Sequence, residues 1–314
     1  MWKYVLKRLL WMIVIMLCVT VVIFTITYFT PGDPARVLMG SSASETEVAA
    51  KRAQLGLDQP FLIQMGSYFN AVYLHGDFGS SWSTNSNVLA TILERLPVTI
   101  IIGGLAMVLQ VIIGVPLGVL AAIRQGKWQD YLSISLSLLL ISLPDFWVAL
   151  MAVTIFAVNL RWLPVSGVDT WKGFVIPIVA TAFTGIAQNA RQTRSSMLEV
   201  FRADFITTAR AKGQKENVVI WKHMFPNAVM PIITMVIGGL GRVVGGSAII
   251  EAIFSIPGIG MYLLDGINNR DYPVIRGTTV VLSLFSAAAV LLMDLIYAMI
   301  DPRIKAQYAS GKKV

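Results

Sequence analysis

Charge, cysteine and histidine are all scarce in this chain of 314 residues. Its one cysteine, Cys18, sits inside an apolar run, so no intrachain disulfide can form and no metal-ligand spacing exists. Only two histidines, His75 and His223, occur, and they lie far apart in sequence. Charged residues make up 13% of the chain, about half the share usual in soluble domains. The phosphate-cradling pattern G-x-x-x-x-G-K-[ST], the nucleophile pattern G-x-S-x-G and the zinc pattern H-E-x-x-H are all missing. These absences exclude a soluble enzyme and a disordered tail, and they leave no catalytic or metal-binding set. The strict alternation over segments of about 10 residues that a membrane β-barrel needs is missing too.

What is present is grease. Hydrophobic residues reach 56%, and mean hydropathy is +0.70. The net charge of +8 would suit nucleic acid in a soluble chain, but in one this apolar it marks loops on the cytoplasmic side of a bilayer. Nucleic acid is therefore not expected as a partner; lipid is. A spanning helix needs about 20 apolar residues to cross about 30 Å of hydrocarbon. Six runs qualify: 9–30, 98–123, 131–160 (interrupted by Asp145), 174–190, 227–250 (interrupted by Arg242) and 277–300 (interrupted by Asp294). The first is too long for a signal-peptide core and ends in Thr30-Pro31-Gly32-Asp33-Pro34, so it is expected to be retained. Placing the N-terminus inside puts 16 of the 25 Lys and Arg residues on the cytoplasmic side. The expected fold is an all-α membrane protein with six transmembrane helices and both termini in the cytoplasm.

The expected organisation is 1–30, N-terminus and first span; 31–97, an extracytoplasmic segment; 98–300, a transmembrane core; and 301–314, a cytoplasmic tail. Ser44 with Glu47 three residues on predicts a helix cap in the outer segment. Enough apolar residues follow to predict one or two short helices lying over the membrane domain. Within the core, the basic segment 191–226 faces the cytoplasm. It reads as helix–Gly213–helix, with apolar patches at Met197–Ile206 and Val218–Phe225. Such a unit makes a compact knob able to enter a groove. The alternative is an amphipathic pair lying in lipid.

Several motifs in order resemble one family. They are Pro31-Gly32-Asp33-Pro34, Leu74-His75-Gly76-Asp77-Phe78-Gly79, Ile92-Leu93-Glu94-Arg95-Leu96-Pro97, Arg161-Trp162-Leu163-Pro164-Val165-Ser166-Gly167, Glu251-Ala252-Ile253-Phe254-Ser255-Ile256-Pro257-Gly258-Ile259-Gly260 and Asp301-Pro302-Arg303. Together they resemble the permease subunits of ATP-binding-cassette (ABC) importers in the dipeptide/oligopeptide/nickel group, nearest its B-type dipeptide branch. That family carries a coupling signature: E-A-A, three residues, Gly, nine residues, then I-x-L-P. Here Thr207, Thr208 and Ala209 occupy E-A-A, Gly213 keeps its place, and His223, Phe225 and Pro226 fill the I, L and P positions. The spacing is intact, while Thr207 and His223 depart from the pattern.

The resemblance implies a type I importer permease fold (MetI-like) in the cytoplasmic (inner) membrane of a prokaryote. It implies that 191–226 docks on a cytoplasmic ATPase. It also implies a paralogous second permease subunit, two ABC ATPase subunits and an extracytoplasmic solute-binding protein. No cofactor is expected in this chain; ATP and Mg would be bound by partner subunits. Cargo in the family is di- or oligopeptides, with nickel chelates, glutathione and some saccharides in relatives. A self-sufficient secondary transporter or channel is the reading from a different class, but the inverted repeats it would show are missing.

Polar residues at membrane depth are costly and usually face a bundle interior. A straight rise of 1.5 Å per residue puts Asp145 and Arg242 at like depth, about 21–22 Å into their helices. They are expected either to flank the translocation pathway, with Arg242 meeting a peptide carboxylate, or to form a packing ion pair. Glu251 and Pro257 begin and bend an expected re-entrant turn, whose gate role rests on the resemblance. Asp294 is expected to anchor a neighbouring helix. The glycines near 103–118 and 238–246 are expected to form packing faces.

Overall fold

The computed structural model describes residues 2–245 and 248–300, and their side chains except at 2–5, 240, 242–245 and 297–300. Among these residues all regular structure is helical apart from one isolated bridge, Ser80 to Asn87. In chain order the helices are α1 (Trp2–Phe29), α2 (Pro34–Met39), α3 (Glu45–Gln54), α4 (Phe61–Phe69), α5 (Val88–Ile123), α6 (Trp128–Ser142) and α7 (Asp145–Ala152). There follow α8 (Trp171–Phe201), α9 (Asp204–Ala211), α10 (Glu216–Val218), α11 (Phe225–Gly245), α12 (Ala248–Ile253), α13 (Ile259–Asn268) and α14 (Tyr272–Ile300). π-Helical turns extend α4 to Leu74, α7 to Asn159 and α10 to Met224.

Four of these, α1, α5, α8 and α14, are long and apolar enough to cross a membrane, and α6 with α7 makes a fifth if that bent pair is one span. Large apolar side chains such as Leu10, Trp11, Ile13, Val22 and Ile112 lie exposed on them. Patches of that extent need lipid or another protein to cover them, so the chain is a multi-pass membrane protein.

The chain forms two compact units, residues 1–99 with 257–314, and residues 100–256. In the first, α1 packs along α14. Asp294 meets Arg8 of α1 at 2.9 Å, which is the helix anchor expected of it. The short helices sit on α1 through aromatic contacts, Phe24 with Phe61 and Tyr68 at 5.8 Å between centroids. Tyr73 adds a hydrogen bond with Thr20 at 2.7 Å. Ser44 and Glu47 form the full capping box of α3. From Ser44 on, two short helices form, α3 and α4, as expected, and Pro34 starts a further one, α2, ahead of them. Asp33 caps α2 by accepting the Ala35 N–H, and pairs with Arg52 at 2.5 Å. Asp271, before α14, accepts from Ser81 Oγ at 2.6 Å and from Ser83 Oγ at 2.8 Å.

In the second unit α8 is the central element, packed by α6, α7 and α11. Two glycines of α5 allow the backbone of α8 to come close: a Cβ would fall 2.6 Å from the Ile186 carbonyl at Gly114 and 2.3 Å from the Ala190 carbonyl at Gly118. Those glycines are packing sites as expected; Gly104, Gly238 and Gly239 face open space. Asp130 of α6 is buried and takes a bidentate pair from Arg194 of α8, at 2.5 and 2.9 Å.

Two readings of the spans need correction. α6 and α7 are bent by 95°, because Pro144 lacks an N–H and holds Leu143 in an extended conformation (φ −89°, ψ 127°). Asp145 therefore opens a new helix instead of lying 21 Å along a straight one. The helix expected to end at residue 190 continues without a break to Phe201.

Candidate functional site

Residues 202–226 fold as the hairpin that the sequence suggests. α9 carries Thr207, Thr208 and Ala209 and stops one residue after Arg210. Gly213 adopts φ +73°, a conformation that glycine reaches without steric cost, and its N–H closes the turn on the Arg210 carbonyl at 2.9 Å. The chain then returns through α10 and the π-helical turn 219–224 into α11, which Phe225 opens. Pro226 follows one residue on, and because it has no N–H the hydrogen-bond ladder running from the π-helical turn into α11 lacks one bond there.

Burial divides the hairpin into two faces. Ile206 and Ala209, three apart on α9, pack with Val219, Ile220 and Met224 of the return limb. The same cluster takes in Met197 of α8, Val119 and Ala122 of α5 and Ala228 of α11. Ile206, Met224 and Met197 are fully buried. Thr207, Thr208 and everything from Ala211 to Val218 are exposed. The hairpin is thus seated on the helices by one face and presents the other.

Polar contacts brace the presented face. Arg210 bridges the bend to Glu216 at 2.7 Å, and its guanidinium lies 4.4 Å from the Phe201 ring centroid. That hydrogen bond, helped by the Arg210 charge and opposed by burial, holds the Glu216 carboxyl below its ordinary value. His223 Nε2 lies 2.7 Å from Gln214 Oε1, joining the return limb to the bend. Phe205 and Trp221 flank the polar tip at 46% and 56% exposure. The apolar run alone suggests that both are inward. The structure shows otherwise: Phe205, four residues before Ala209, sits at the edge of the buried face with its ring exposed, and Trp221 is exposed as well.

The candidate pathway residues are less concentrated. Asp145 accepts a hydrogen bond from Thr184 Oγ1 of α8. The side chain of Arg242 lies outside the described residues, as does the tail 301–314. Glu251, on α12, is fully buried. After α12 the chain turns through Ser255 at φ 51°, with the Ile256 N–H on the Glu251 carbonyl at 2.8 Å. Pro257 follows, and the Ile259 N–H meets Thr99 Oγ1 at 2.9 Å. Among the described residues no cluster of His, Cys, Asp or Glu could hold a metal ion.

Comparison with known proteins covers nearly the whole chain. Residues 114–306 match the family model described as "Binding-protein-dependent transport system inner membrane component". Residues 1–103 match the corresponding N-terminal model. The chain is 39% identical to the dipeptide transport system permease protein DppB of Alkalihalophilus pseudofirmus, over 97% of this chain and 100% of that one. It is 38% identical to the glutathione transport system permease protein GsiC of Escherichia coli, over 97% of this chain and 99% of that one. Among solved structures, an inward-facing MetNI methionine ABC transporter matches with a TM-score of 0.55 at 17% identity. That match covers 68% of this chain and 97% of the other, and it shows a shared fold.

Proposed function

Since this chain belongs to the binding-protein-dependent inner-membrane transport components, as an ABC importer permease of the dipeptide-permease type, we propose that it forms half of the membrane pathway of a peptide importer. A polar peptide cannot cross hydrocarbon with its backbone groups unsatisfied. A hydrated pathway must open to one side at a time. In this proposal the protein is not an enzyme. Two ATPase subunits bind ATP and Mg, a paralogous permease supplies the other half, and a solute-binding protein delivers cargo from outside. The membrane is the cytoplasmic membrane of a prokaryote, with both termini inside. α6–α7 serves as one bent span and α11, about 32 Å long at 1.5 Å per residue, as the sixth.

The observation that carries the proposal is the hairpin 202–226. Its inner face is locked into a core shared with α5, α8 and α11, while its tip is braced and exposed. Force applied at such a tip reaches three long helices without first being absorbed by a loose joint. Thr207, Thr208, Gly213 and His223 belong to the docking surface, and Ala209, Phe225 and Pro226 to its seat and root. Asp145, Arg242, Glu251 and Pro257 remain candidates for the pathway or its gate.

Glutathione is a second cargo reading, supported by the similar identity to GsiC. The test is reconstitution with the two ATPases, the second permease and the solute-binding protein that the proposal calls for. ATP-dependent accumulation of labelled dipeptide, competed poorly by glutathione, supports peptide cargo; the reverse supports the second reading. Uphill transport by the chain alone, or cross-links from the hairpin that never reach an ATPase, would overturn the assignment.

A further inference from the structure

The first unit contains a cavity of about 340 Å³ where the short helices meet the ends of α1 and α14. Tyr28, Asp33, Arg52, Gln64, Tyr272 and Arg276 line it. That volume falls in the range of small-molecule pockets, about 300–1,000 Å³.

Arg276 is the unusual member. It is only 7% exposed, and among the described residues no carboxylate pairs with it. Its Nε donates to Thr27 Oγ1 at 2.8 Å. The guanidinium carbon lies 3.9 Å from the Phe24 ring centroid and 5.3 Å from that of Tyr272. Nη2 is buried with no hydrogen-bond partner. The one acid lining the cavity, Asp33, is already engaged by Arg52 and the Ala35 N–H. Burial pushes the Asp33 carboxyl up, but the Arg52 hydrogen bond and charge outweigh it, so Asp33 stays ionised and committed to that pair.

An arginine taken out of water without a counter-charge carries a desolvation cost that aromatic faces offset only in part. Two cations and one carboxylate leave the cavity net positive. Arg276 also keeps a free donor of the planar kind that carboxylates and phosphates accept in pairs.

We propose that this cavity is an oxyanion site, in which Arg276 receives the carboxylate or phosphate group of a small molecule. The proposal goes beyond the transport reading and does not depend on it, since the ligand need not be the cargo. The shared chemistry is an anionic oxygen pair, and it has two sources: a free solute, or the phosphate of a lipid headgroup.

Thermal unfolding of the full-length chain separates them, because a ligand that binds only the folded form raises its apparent stability. In detergent free of acidic lipid, chloride is exchanged for acetate, glycylglycine or inorganic phosphate at constant ionic strength. In a second arm, nanodiscs of phosphatidylcholine are compared with nanodiscs containing phosphatidylglycerol. A rise in midpoint in the first arm assigns a free anion, and a rise confined to the second assigns a headgroup. Either supports the site, provided that R276Q weakens the apparent affinity at least tenfold. R276K, which keeps the charge but loses the planar fork, should fall between and serves if R276Q does not fold. No stabilisation of the wild-type chain in either arm would overturn the proposal, as would R276K responding as the wild type does.

Discussion

At Gly213 two demands on one residue separate cleanly. The residue sits at φ +73° with no atom within 4 Å of where a Cβ would stand. A Cβ there strains the backbone and meets no neighbouring atom. The left-handed conformation costs an L-residue about 1–2 kcal/mol, and the reduced freedom of the unfolded chain returns about 0.4–1 kcal/mol of that. G213A and G213W should therefore destabilise the protein almost equally, by about 1 kcal/mol, and express alike. They should differ in function. In proteoliposomes containing the whole transporter, G213A should retain most of its ATP-driven uptake. G213W, with a bulky ring on the tip, should lose uptake at least tenfold while the ATPases still hydrolyse ATP. Equal uptake by both variants would refute docking through the tip. A much larger loss of stability for G213W than for G213A would refute the open space around it.

Other expectations concern the frame that holds the tip. Met224→Ala should cost about 2–4 kcal/mol, because a fully buried Met leaves a cavity; limited proteolysis within 202–226 should accelerate. Asp130→Ala should cost about 3 kcal/mol by leaving Arg194 partly buried and unpaired, and Arg194→Ala in the same chain should recover part of it in a double-mutant cycle. Gly118→Leu should prevent close approach of α5 and α8, read as lost expression in the membrane. Because the Glu216 carboxyl is held below its ordinary value, its pairing with Arg210 is complete above the ordinary carboxylate range and is lost as pH falls through the lowered value. Glu216→Gln should remove that acid dependence from hydrogen exchange at the bend, with a small change in stability, since the pair is exposed.

Local chemistry was legible wherever a few neighbouring residues decide the outcome. The cap at Ser44, the turn at Gly213 and the Asp294 anchor follow from short spacings or from the cost of a charge in lipid. What escaped depends on partners distant in sequence or on a single bond. Pro144 breaks a run that is hydrophobic on both sides, so composition shows one span where the backbone makes a right angle. The continuation of α8 past residue 190 was hidden because a change from apolar to polar residues marks the edge of the hydrocarbon, not the end of a helix. Arg276 gave no signal as a buried residue, since Phe24, Thr27 and Tyr68 reach it from other parts of the fold.

The length of α8 sets a stand-off distance. Its 31 residues span about 46 Å at 1.5 Å per residue, against about 30 Å of hydrocarbon. In the proposed topology, roughly 16 Å of rod, at the end bearing Arg194 and Met197, extends beyond the acyl chains. A large soluble protein can settle on the end of that stalk without pressing its own surface against the lipid, and the bilayer need not deform when it rocks.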